Sequence, residues 1–172
     1  MASYYYLIPS LPELTTAGEM PISYEDFLAQ CQTTVSANTY ALLKDLTLLS
    51  EEGPLVDKWH AIYGDLTKEL NYQRSMRLGK SYVAPDKDDA VSAVVAAALA
   101  AKNPLEAEKI LLDFEFEYLD SLVGMHYFDD YVLFGYAIKL KLLERQSCFD
   151  HDKGQNEFKR LFDQVQQRVI SL

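Results

Sequence analysis

The stretch that most constrains the fold is 103–145, NPLEAEKILLDFEFEYLDSLVGMHYFDDYVLFGYAIKLKLLER. Asn103 suits an N-cap, Pro104 the first helical position, and Glu106 the carboxylate position of a capping box. Leu111, Phe114, Tyr118, Leu119 and Leu122 then recur at helical spacing, and Leu112, Phe116 and Val123 widen the stripe. Gly124 interrupts the pattern. Beyond it, Tyr131, Val132, Leu133, Phe134, Tyr136, Ile138, Leu140, Leu142 and Leu143 fall almost all round a second helix, the pattern of a central one. The spacing predicts two helices joined over 122–130, with the other helices packed on them.

The rest of the chain repeats the helical signal. Ser23 caps a helix, with Asp26 three residues on and Ile22 placed to staple onto Phe27. A second is predicted from Ala37 to Leu49, with Tyr40, Leu43, Leu46 and Leu49 at three-residue steps and Gly53-Pro54 as the break. Leu55, Trp59, Ile62, Tyr63, Leu66 and Leu70 mark a long amphipathic helix that runs to Leu78 and stops at Gly79. Pro85-Asp86 opens the next, with Asp89 three residues after the cap, and small residues from Ala90 to Ala101 allow close helix approach. Asp152 and Gln155 mark a last N-terminus, before an apolar face of Phe158, Leu161, Phe162, Val165 and Val169. There is no β alternation and no internal repeat. The expected class is all-α: a single domain over 1–172, an irregular bundle of about seven helices. The Tyr-rich start, residues 3–14 (SYYYLIPSLPEL), is expected as an extended segment or a short helical turn laid on that body.

Charge limits the partners. The chain carries a net charge of -10, which disfavours nucleic acid and anionic lipid surfaces. The acids Glu13, Glu19, Glu25, Asp26, Asp45, Glu51, Glu52 and Asp57 crowd the first third, where Lys44 is the one cation. They form either a solvated face or a patch that orients a basic partner. Cys31 and Cys148 lack metal or redox spacing and read as reduced thiols. The start, Met1 to Tyr4, has no signal-peptide pattern, and the apolar run Ala90 to Ala101 is too short to span a bilayer.

No motif for chemistry is complete. Gly79-Lys80-Ser81 ends like a phosphate loop, but Arg74 stands where the earlier glycine belongs, on a helix. Of the histidines His60, His126 and His151, only His60 has a carboxylate three residues before it, Asp57. Glu115, Glu117, Asp120, Asp129 and Asp130 lack histidine partners at ligand spacing and read as solvated or capping acids. The expectation is no catalytic residue, no cofactor and no metal. Contact residues are sought instead in Tyr4, Tyr5 and Tyr6, and in the basic stretch Arg74, Arg77 and Lys80. The competing roles are a packed arm for the tyrosines and helix-dipole compensation for the cations.

Three stretches, YYYLIPSLPEL (4–14), PISYEDFL (21–28) and 100–145, resemble an uncharacterised bacterial family encoded alongside V-type ATPase subunits. That family is similar to the all-helical central-stalk component of V-type ATPases and ATP synthases that links the rotary axle to the membrane-embedded proteolipid ring. The resemblance implies a cytoplasmic, non-catalytic coupling component. Its partners would be other V-type ATPase subunits, the central axle and the membrane ring, and its membrane association would run through the complex, without insertion. The stalk component is about twice as long, with three related helical thirds; three such thirds are not found here. The alternatives are a stand-alone protein–protein adaptor and a metal-dependent helical-bundle enzyme built on the acids of the central pair.

Overall fold

A computed structural model describes residues 4–18, 20–86, 88–148, 157, 159–164 and 166–167. Its helices are α1 (Tyr4–Ser10), α2 (Tyr24–Gln32), α3 (Ala37–Lys44), α4 (Val56–Arg77), α5 (Asp89–Ala100), α6 (Pro104–Val123) and α7 (Asp130–Ser147). The described residues between 157 and 167 are helical too. There is no strand among the described residues, so the chain is an all-α irregular bundle. Ser3, Glu19, His151, Asp152, Gln155, Phe158, Val165 and Val169 lie outside the described residues. Leu161 and Phe162, from the same expected apolar face as the last three, are about half exposed.

The helix ends follow the capping chemistry with two shifts. The Ser23 hydroxyl accepts from the Asp26 amide at 3.0 Å, and Asn103 Oδ1 from the Glu106 amide at 2.8 Å. Glu106 closes its box on the Lys102 amide, one residue before the cap. The cap of α5 is Asp88, not Asp86: its Oδ1 collects the amides of Ala90 and Val91 at 2.9 and 3.2 Å. Helix α3 stops at Lys44 rather than Leu49. Residues 47–50 form a turn instead, in which the Thr47 amide donates to Ser50 Oγ at 2.9 Å and the Ser50 amide to the Thr47 carbonyl at 3.2 Å. Short hydroxyl side chains that bond nearby backbone compete with the helix in this way. Leu49 is left exposed, while Leu46 turns inward. The Tyr-rich start is not extended but a short helix over Tyr4–Ser10, with Leu7 buried.

Packing converges on α7. Helices α4, α5 and α6 stack in succession, α6 lies along α7, and α2 and α3 cover another side of α7. Leu133, Phe134, Ala137, Ile138, Leu140, Leu142 and Leu143 are all buried, so α7 touches neighbours almost all round. On the α2 side, Lys141 Nζ lies 3.5 Å from the centre of the Tyr24 ring, and Phe27 packs on Tyr136 at 5.5 Å between centroids. On the α6 side the approach is closer. A Cβ on Gly135 would sit 2.7 Å from Val123 Cγ2 and 3.5 Å from Leu55 Cδ2. Leu55 itself holds φ at 70°, left-handed backbone that costs about 1–2 kcal/mol for a residue with a Cβ. Its side chain is fully buried against this contact, and that burial offsets the strain.

Gly135→Ala is expected to force α6 and α7 apart and to destabilise the fold by about 1–3 kcal/mol in urea denaturation. Leu49→Ala, at an exposed position, should stay within about 0.5 kcal/mol of the parent.

Candidate functional site

Helix α1 is held on the body by its first side chain. The Tyr4 hydroxyl donates to Asp130 Oδ1, at the first turn of α7, and the ring is half-buried. Burial and the neighbouring carboxylate push the Tyr4 phenol up to about 12. The next two tyrosines face the other way: Tyr5 and Tyr6 are exposed. Tyr5 stacks on Phe128 of the α6–α7 loop, with ring centroids 4.5 Å apart. Further along that loop His126 stacks on Tyr131 at 4.4 Å, and Lys58 at the start of α4 lies 5.4 Å from the same ring. Met125 and Tyr127 are exposed beside them in sequence. The result is an aromatic surface made of α1 and the α6–α7 loop, at the N-terminal end of α7.

The loop half of this surface carries no periodic signal and reads from the sequence only as a connection. The one hint is its composition: Met125, Tyr127 and Phe128 place large apolar side chains in a segment that no helix pattern claims. Glu51 and Glu52, before α4, and Asp57, in its first turn, border the same end, and Glu51 Oε1 lies 3.8 Å from His60 Nε2 of α4. A Cβ on Gly53 would meet Phe134 at 3.2 Å, and Lys58 reaches Tyr131. Glu51, Glu52 and Asp57 are exposed there.

The basic residues lie elsewhere. Arg74 and Arg77 belong to the last turn of α4 and Lys80 follows Gly79, whose φ is 66°. At 1.5 Å per residue, Lys58 and Arg77 are about 28 Å apart along the helix. The tyrosines and the cations therefore mark opposite ends of α4. Arg77 is partly structural: Nη1 donates to the Leu99 carbonyl at 2.6 Å, at the C-terminal end of α5 where a cation complements the dipole. Arg74 and Lys80 are exposed, with no ion pair among the described residues. Near them, an open hollow of about 600 Å³ separates α4 from residues 81–86, but its Lys68 and Asp65 satisfy each other at 3.0 Å. Gly79-Lys80-Ser81 follows a helix, so no strand-to-helix phosphate cradle is formed.

The acids of the central pair are spread over separate tasks. Asp129 caps α7 and contacts His126, Asp130 takes the Tyr4 hydroxyl, and Asp120 pairs with Lys139 at 2.6 Å. Glu117 is exposed. Glu115 departs from the solvated or capping role, being only 2% exposed. Arg145 of α7 grips it with a fork, Nη1 to Oε1 at 2.9 Å and Nη2 to Oε2 at 2.5 Å, while Nε donates to Glu108 Oε1 at 2.6 Å. Burial pushes the Glu115 carboxyl up and the guanidinium pulls it back; the two glutamates hold Arg145 firmly charged. Among the described residues no three His, Cys, Asp or Glu side chains are grouped to hold a metal. Of the cysteines, Cys31 is buried, which pushes its thiol up to about 12, and Cys148 is exposed; both are free.

A family model described as protein of unknown function (DUF2764) matches residues 81–169, just over half of the chain. It takes in α5, α6, α7 and the loop half of the aromatic surface, and leaves α1 outside. No curated protein and no solved structure matches the chain.

Arg145→Leu would leave two buried glutamates without their counter-ion, and urea denaturation is expected to show a loss of about 3–5 kcal/mol. A second outcome concerns alkaline pH. Burial also raises the Tyr136 phenol to about 12, and its hydroxyl donates to the Pro12 carbonyl at 2.9 Å. The fold favours these neutral phenols over tyrosinate, whose ordinary pKa is about 10. Their contribution should be complete below pH about 10 and fade as pH climbs toward about 12. Tyr4→Phe, which keeps the ring and removes the phenol, should flatten part of that decline in unfolding curves taken across the range.

Proposed function

The chain belongs to the DUF2764 family of proteins of unknown function, and we propose that it is a non-catalytic coupling component of a bacterial V-type ATPase or ATP synthase, a central-stalk part set between the rotary axle and the membrane ring. Its place is cytoplasmic, held near the membrane through the complex. One observation carries the mechanical half of this reading. Two exposed surfaces stand at opposite ends of the 22-residue helix α4: one carries Tyr5, Tyr6, Met125 and Tyr127, the other Arg74 and Lys80 beside Leu78 and Val83. A coupling part must grip two neighbours and stay stiff between them.

Stiffness is supplied by the core. The α4, α5 and α6 stack and the tight α6–α7 contact join both ends into one packed body, which transmits a load without a loose joint. The assignment to a rotary ATPase rests on the resemblance of 4–14, 21–28 and 100–145. No described helix is long and apolar enough to cross a membrane, so contact with the ring is assigned to protein surfaces.

Purification from native membranes tests the reading. Affinity-tagged chain is expected to bring down rotary ATPase subunits, and deletion of its gene to lower ATP-driven proton pumping in membrane vesicles. A chain that never accompanies those subunits, and whose deletion leaves pumping at the parental rate, would refute it.

A further inference from the structure

We infer that the aromatic end of the bundle docks a basic amphipathic helix carried by a protein partner. The inference rests on the reading of the chain as a docking component and adds the chemistry of one partner. Four large side chains on two joined segments stand in solvent: Tyr5 is 70% exposed, Tyr6 81%, Met125 85% and Tyr127 65%. They are not the ends of a loose tail. The Tyr4–Asp130 hydrogen bond and the Tyr5–Phe128 stack fix α1 against the α6–α7 loop, so the surface is preformed. Rigid tyrosines together with an adaptable methionine make good contact area at small entropic cost.

Charge identifies the occupant. All seven described acids between residues 13 and 57 are exposed, against two exposed cations, Lys44 and, at the aromatic end itself, Lys58 over Tyr131. Glu51, Glu52 and Asp57 border the aromatic end, as the contacts of Gly53 and Lys58 with α7 place them. The complement of exposed aromatic faces with a net-acidic border on one side is a surface with apolar side chains on one stripe and Lys or Arg beside it: the apolar groups cover the rings, and the cations meet the carboxylates of that border. A helix presents that pattern on one face. Pairing by an added β-strand has no template, because no sheet edge exists among the described residues.

A fluorescent peptide of about five helical turns, leucine on one face and lysine and arginine on the other, is the probe. The full chain is expected to bind it, and to bind less as salt rises. Tyr6→Ser, at an exposed position that leaves the melting temperature unchanged, should weaken binding about tenfold. The pair Glu51→Lys and Glu52→Lys should do the same by reversing the rim charge, by about tenfold. Equal binding of a scrambled peptide or of one with glutamate in place of the cations overturns the inference. So does indifference to both sets of substitutions, or Tyr6-dependent self-association in sedimentation, which would make a second copy the occupant. A chain that ignores the peptide yet accompanies rotary ATPase subunits sinks this inference and leaves the coupling reading standing. Peptide binding through these residues, with no rotary ATPase subunits recovered, supports the inference and refutes that reading.

Discussion

The architecture depends on how closely α6 and α7 approach. Gly135 gives the space, Val123 fills it, and Leu55 enters from the start of α4 in a strained backbone conformation. One missing side chain thus lets three elements meet. Ten residues beyond Gly135 along the same pair, Arg145 ties α7 to Glu108 and Glu115 of α6. An ion triad this buried adds little net stability over a well-packed apolar alternative. Its contribution is register: a planar fork accepts a carboxylate in one orientation, so sliding α6 along α7 would strand charges away from water.

The aromatic end inherits its rigidity from that pair. Asp129 and Asp130 sit at the start of α7, where they cap the helix and receive Tyr4. The loop that carries Met125, Tyr127 and Phe128 is short and fastened at both ends, by Gly124 and by Asp129. Helix α1 has few core contacts of its own, mainly Leu7 and part of Tyr4, and so depends on α7 for its position. Side chains that would be a hazard on a mobile arm become a defined surface because they are anchored beneath.

Most of the fold is legible in the sequence because its signals are local. Asn103-Pro104, Ser23 and the Gly79 and Gly124 stops are chemistry between residues a few positions apart, and they fall where the helices begin and end. The failures have the same origin. Asp86 and Asp88 are equal as caps until the chain chooses one, and the Thr47–Ser50 turn defeats a three-residue leucine pattern with bonds that hydropathy does not register. Glu115 reads as one more surface acid, since the cation that makes its burial tolerable lies 30 residues away.

By itself, the sequence determined that this chain is helical, that the helix carrying Arg145 lies at the centre, and that no contiguous catalytic motif is present. Helical period and capping operate within a turn or two, so they survive in one dimension. Only the tertiary structure decided that Tyr5 meets Phe128, that the tyrosines and the basic stretch part to opposite ends of α4, and that Arg145 holds two glutamates. Those facts arise from packing between residues far apart in the chain, and no local propensity encodes which distant surfaces come together.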